Sequence, residues 1–151
     1  MPTTTWILVA NGARARVLKS DGRGGGLEPA LDEEMTGMAL GHQTRDLVSD
    51  QPGMTKDRAG QGMRRNDPPT EPQRHAKLEF ARDVARMLTE AMNRGEYDRL
   101  VICAPPQALG DLRQEIAKNN VQGRVVGEVN KDLVKSSDDE VREHVSEFLR
   151  P

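Results

Sequence analysis

The sequence predicts a single α/β domain, built on a mixed five-stranded sheet with three helices. Three observations carry that expectation. The chain has 151 residues, the length of one ordinary domain. Two short, continuous apolar runs, Trp6–Ala10 and Leu100–Ala104, have the pattern of strands covered on both faces. Apolar residues elsewhere in the second half recur at helical spacing.

The elements follow in order. Trp6–Ala10 opens the chain as a central strand and runs straight into Asn11-Gly12, the dipeptide favoured in a type I′ hairpin. Ala13–Val17 alternates small or apolar residues with arginine, as a half-exposed second strand does. Asp21–Gly26 reads as a flexible hairpin tip, because it lacks the Gly-Lys-Ser/Thr ending of a phosphate loop. Leu27–Met35 is a weaker third strand, and Pro29 places it at an edge.

From about 37 to 73 the periodicity fails, and Pro52, Pro68, Pro69 and Pro72 break regular structure. This long loop holds most of the functional expectation, since structureless connections of that length are uncommon in compact domains. Beyond it, Leu78, Ala81, Val84, Ala85, Leu88, Ala91 and Met92 share one face of a long amphipathic helix that ends near Gly95. Leu100–Ala104 is the next strand, stopped by Pro105-Pro106. Leu109, Leu112 and Ile116 mark a shorter helix, and Val125–Val129 is the last strand. Ser137 and Glu140 form a capping box for a closing helix with Val141, Val145, Phe148 and Leu149 on its apolar face. The order β-β-β, long loop, α-β-α-β-α describes a ribonuclease H-like sheet.

Composition narrows the chemistry. Aromatics are only 3% of the chain, so the core is built from Val, Leu, Ile, Ala and Met. With 22 Lys+Arg against 24 Asp+Glu, the net charge of -2 excludes a uniformly basic nucleic-acid binder and leaves local patches open. The single cysteine, Cys103, excludes an internal disulfide framework and a cysteine-based zinc site, and its place in a buried run makes it a core residue. The residues before Trp6 carry no cationic region, and the first apolar run is far shorter than the roughly 18 residues of a membrane span. A cytoplasmic protein is expected, neither secreted nor in a membrane.

Catalytic constellations are sparse. The first strand ends in Ala10-Asn11, without the carboxylate that a metal-dependent nuclease would place there. Asp32, Glu33 and Glu34 alternate faces and cannot converge on one ion, so a solvated edge is expected. His42, His75 and His144 are scattered among polar neighbours, and no metal or cofactor is predicted. Ser49, Ser136 and Ser137 lack the Gly-x-Ser-x-Gly setting of a hydrolase.

The long loop differs from the rest. Lys56, Arg58, Arg64 and Arg65 stand there against one acid, Asp57, around Ala59-Gly60-Gln61-Gly62. Cationic groups beside glycine backbone suit contact with phosphates. The alternative is an insertion whose charges serve only to keep it solvated.

Four ordered motifs resemble the bacterial host-attachment family, described as proteins required for attachment to host cells. They are Trp6-Ile7-Leu8-Val9-Ala10-Asn11-Gly12-Ala13-Arg14-Ala15-Arg16, Arg45-Asp46-Leu47-Val48-Ser49-Asp50-Gln51-Pro52-Gly53, Ala104-Pro105-Pro106 and Asn130-Lys131-Asp132-Leu133. That family is similar in turn to the middle domain of archaeal and eukaryotic peptide-chain release factors, whose loop before the long helix carries Gly-Gly-Gln. Gly60 and Gln61 match the last two motif residues, and Ala59 departs from the first. An alanine costs about 1 kcal/mol or more where positive φ is needed.

The resemblance implies a stand-alone module at the ribosome or on tRNA, with neither DNA nor a membrane as partner. Gly60 and Gln61 would then act in peptidyl-tRNA hydrolysis, Gln61 chiefly through its backbone N–H. Lys56, Arg58, Arg64 and Arg65 would contact RNA phosphates. The rival expectation is a non-enzymatic cytosolic interaction protein that supports attachment indirectly.

Overall fold

The computed structural model describes residues 3–21, 26–37 and 71–149. Strand β1 (Thr5–Ala10) is buried along its whole length, as its unbroken apolar sequence requires of a central strand. It pairs antiparallel with β2 (Arg14–Ser20) and parallel with β5 (Arg99–Cys103), Val9 standing opposite Arg16 on one side and Cys103 on the other. Strand β6 (Val125–Val129) continues the sheet parallel to β5. A register shift after Leu100 passes over Val126, which leaves that valine exposed.

The outer side of β2 carries two short strands, β3 (Glu28–Pro29) and β4 (Met35–Thr36). The single third strand expected over Leu27–Met35 is therefore broken, and the sheet has six strands where five were expected. The physical reason lies between the pieces: Asp32, Glu33 and Glu34 stay in solvent, and a half-charged stretch gains nothing by lying flat on β2. Pro29 sits on the edge side, where its missing N–H is harmless.

Among the described residues three α-helices complete the layers: α1 (Glu71–Asn93), α2 (Pro106–Ala117) and α3 (Asp138–Val145). Period-two alternation in the strands sorts the core. Trp6, Leu8, Ala10, Ala15, Val17, Leu100 and Ile102 face α1 and α2 and pack on Ala81, Val84, Leu88, Leu109, Leu112 and Ile116. Ile7, Val9, Leu18, Val101 and Cys103 face the other way, onto Leu133, Val134, Val141 and Val145. Burial pushes the Cys103 thiol up to about 12, as befits a core residue.

Helix ends follow local chemistry. At the end of α1, Gly95 (φ 74°) donates its N–H to Met92 O at 2.9 Å while Glu96 N–H reaches Ala91 O at 3.0 Å, a Schellman arrangement. The capping box of α3 forms in both directions, Glu140 N–H to Ser137 Oγ at 3.1 Å and Ser137 N–H to Glu140 Oε1 at 2.9 Å. That helix stops at Val145, and a 3₁₀ turn (Ser146–Phe148) carries Phe148 onto Gly127.

The expected loop over 37–73 is shorter at its far end. Helix α1 already includes Pro72, because a proline in the first turn removes an N–H that has no helical acceptor. Residues 38–70 lie outside the described residues, and so does the glycine run 22–25.

Candidate functional site

The chain leaves the neighbouring carboxyl ends of β1 and β5 in opposite directions. From β1 it turns by a hairpin to β2, and from β5 it passes through α2 to β6 on the far side. Such a divergence opens a crevice at the strand ends, the position where open α/β sheets bind ligands. Here it is a cleft of about 450 Å³, bounded by Asn11–Ala13 on one side and Pro105–Ala108 on the other, with Lys77 and Asp111 reaching in from α1 and α2.

The first wall is shaped by a side chain. Asn11 Oδ1 accepts from the N–H groups of Ala13 and Arg14, both at 2.8 Å, while Asn11 N–H donates to Arg14 O at 2.9 Å. The expected type I′ turn is therefore corrected to an Asx-type turn centred on Gly12-Ala13, with Gly12 outside the positive-φ region. Gly12 matters for another reason. A Cβ there would lie 3.0 Å from Lys77 Cδ, so the lysine's aliphatic stem rests directly on the turn. That contact lays the side chain along the wall of the cleft that Lys77 lines.

The second wall begins α2. Pro105 is extended, Pro106 is the first helical residue, and the first helical bond runs from Leu109 N–H to Pro105 O at 2.8 Å. No side chain caps this end, so the N–H groups of Gln107 and Ala108 have no helical acceptor. At the floor, the buried Asp111 carboxylate is held on both oxygens by Arg74, at 2.7 and 2.6 Å. The hydrogen bonds to Asp111 raise the Arg74 pKa above its ordinary value, so the pair stays ionised and internally neutral. Lys77 makes no ion pair with a described residue, and neither do Arg14, at the start of β2, and Lys131, just beyond β6.

Three of the four sequence motifs meet at this edge. Asn11 Nδ2 reaches Asp132 Oδ2 at 3.5 Å, and Ala104 N–H and Lys131 N–H both donate to Val129 O at 3.0 Å. The hydrogen bond from Gly37 N–H to Ala13 O, 2.8 Å, brings the chain to the same edge just before residue 38. A Cβ on Gly37 would meet Phe80 of α1 at 2.9 Å, so the first turns of α1 stand beside that point.

The residues predicted from the loop, Lys56, Arg58, Gly60, Gln61, Arg64 and Arg65, lie outside the described residues, as does the motif Arg45–Gly53. The cleft residues themselves went unpredicted, although the sequence carried signals for them. Asn11-Gly12 and Pro105-Pro106 directly follow the two buried strands. Lys77 falls in line with Ala81, Val84 and Leu88, a cation at the head of an apolar stripe. His75 is exposed beside Glu79 at 3.2 Å, and His144 is exposed too. Among the described residues no three His, Cys, Asp or Glu side chains cluster as a metal site would require, and no helix is long and apolar enough to cross a membrane.

Fold and cleft together define an α/β domain with an open cleft at the carboxyl edge of a mixed sheet. The sequence pattern of the family described as "Protein required for attachment to host cells" matches residues 6–145, and the chain belongs to that family. No curated protein matches the chain.

Proposed function

We propose that this host-attachment family protein is a stand-alone, release-factor-like module of ribonuclease H-like fold that acts in the cytoplasm on ribosome-bound peptidyl-tRNA. In this reading Gly60 and Gln61 approach the ester, where Gln61 helps to place water and its backbone N–H stabilises the oxyanion. Lys56, Arg58, Arg64 and Arg65 hold RNA phosphates. Attachment to host cells is then a consequence of altered translation, several steps removed from the protein's own chemistry.

The supporting observation is where the segment 38–70 is rooted. Gly37 is tied to Ala13, and α1 resumes beside it with Lys77 resting on Gly12, so both ends stand at the carboxyl edge. The described chain thus stops at Gly37 and resumes at Glu71 on the edge that α/β domains present to ligands, which supports the reading.

The test is co-sedimentation with 70S ribosomes across a salt series, wild type against a variant with Arg58, Arg64 and Arg65 replaced by Ala. Salt-sensitive binding that the variant loses is the expected result. Peptidyl-tRNA hydrolysis abolished by Gln61→Ala, with unchanged thermal stability, would then establish the reaction. Failure to bind ribosomes at any salt would sink this reading and leave a non-enzymatic interaction protein.

A further inference from the structure

The described residues of the carboxyl-edge cleft have a chemistry of their own. The cleft's volume of about 450 Å³ falls within the roughly 300–1,000 Å³ typical of small-molecule sites, and is more than a bare inorganic anion needs. Ala13, Pro105, Pro106 and Ala108 give it rigid apolar walls. Asp111, the carboxylate among its described lining residues, is paired with Arg74 through both oxygens. Among the described residues that leaves Lys77 as the cation of the cleft lining without an ionic partner, with Arg14 and Lys131 also unpaired there at the same edge.

A half-buried lysine stem laid along Gly12 loses much of its freedom before any ligand arrives, which favours a fixed contact over a wandering surface charge. The cleft's polar lining includes Lys77 and the first turn of α2, where the N–H groups of Gln107 and Ala108 have no helical acceptor. An anion with a flat or puckered apolar body satisfies both halves of this surface.

We propose that the carboxyl-edge cleft binds a nucleotide unit, its phosphate on Lys77 and its sugar or base between Ala13 and the Pro105-Pro106 wall. The unit has two sources, a free mononucleotide or the end of an RNA chain. Every residue named for the site lies outside 38–70, so the site is tested separately from the ribosomal reading.

Calorimetric titration of the full chain with AMP, UMP, inorganic phosphate, adenosine and a 5′-phosphorylated ribotetranucleotide tests the proposal. AMP or UMP should bind, phosphate more weakly, and adenosine least. Lys77→Met keeps the stem and should weaken nucleotide binding about tenfold or more, the loss of one charge-assisted hydrogen bond. Lys77→Arg should retain binding within a few-fold, and Lys19→Met, an exposed residue opposite Trp6 near the amino end of β1, should leave it unchanged. A tetranucleotide that binds at least tenfold more tightly than AMP identifies an RNA end as the source, and equal affinity identifies the free nucleotide. No heat from any nucleotide, or affinity that survives Lys77→Met, overturns the proposal. The variant in which Arg58, Arg64 and Arg65 become Ala should bind AMP as the wild type does, which separates failure here from failure at the ribosome.

Discussion

The two ends of the parallel strand pair β1–β5 are finished in opposite ways. At the amino end the chain spends its groups on itself. The rings of Trp6 and Tyr97 stack with centroids 4.8 Å apart, and Tyr97 donates its hydroxyl to Leu88 O at 2.7 Å. Thr4 and Asp98 close the corner, Thr4 N–H to Asp98 Oδ2 at 2.9 Å and Asp98 N–H to Thr4 O at 2.8 Å. At the carboxyl end a cleft stays open, and Lys77, Arg14 and Lys131 have no ionic partner among the described residues. One end is closed by its own hydrogen bonds and ring stacking and the other is left open, although the same two strands supply both.

If that division is right, substitutions at the two ends should separate stability from binding. The largest stability effect belongs to Tyr97→Ala, which removes a buried ring and its hydrogen bond. A loss of about 3–5 kcal/mol in urea unfolding is expected, with nucleotide binding retained at temperatures where the variant is folded. Weakened binding in that folded state would break the comparison.

Asp111→Ala comes next. It strips the floor of the cleft of its buried carboxylate and releases Arg74, whose side chain is 40% exposed and able to return to water. A destabilisation of about 1–3 kcal/mol is expected. Binding of anions should tighten, because a second cation is now uncompensated.

Alkaline titration sharpens the assignment of Cys103 and Tyr97 to the interior. Burial raises both groups to about 12, from ordinary values of 9.0 and 10.0. Above pH 9 the unfolded chain gives up the thiol proton that the folded chain keeps, and above pH 10 the phenol follows. Stability should therefore fall as pH rises from 9 towards 12, by about 1.4 kcal/mol per unit for each group. Cys103→Ala should remove the earlier part of that slope in pH-dependent unfolding. Cys103 ends β5 but faces Leu133 and Val141, away from the cleft, so nucleotide should not protect it from thiol reagents.

The smallest stability effect is at Lys77. Its replacement by Met should change unfolding by no more than about 0.5 kcal/mol, while binding suffers most. A lysine whose loss unfolded the chain would belong to the framework.

Much of the framework was legible in the sequence because it rests on local periodicity. The all-buried β1, the stripe Ala81–Val84–Leu88 and the Ser137–Glu140 capping box are each written within a few residues. The edge strand was misread as continuous because its break depends on what Asp32–Glu34 gain from solvent, a comparison of two states that no pattern records. The Asn11 turn was assigned to the wrong class because the dipeptide is shared between turn types, and only the side-chain bonds to Ala13 and Arg14 distinguish them. The cleft escaped notice for a different reason. Lys77, Pro105 and Asp111 come from three separate segments, and only the topology brings them together.

The interrupted strand at the outer edge of β2 bears on how the molecule behaves in a crowd. A long bare edge is a template on which another copy can add its own strand, the first step towards fibres. This chain offers two dipeptide-length stretches separated by three exposed acids, with a proline in the first. A neighbour approaching there finds no run of free backbone groups long enough to hold it, and meets negative charge where it would need to lie flat. The same irregularity that hid the strand from sequence reading should guard this edge of the sheet against pairing with another copy.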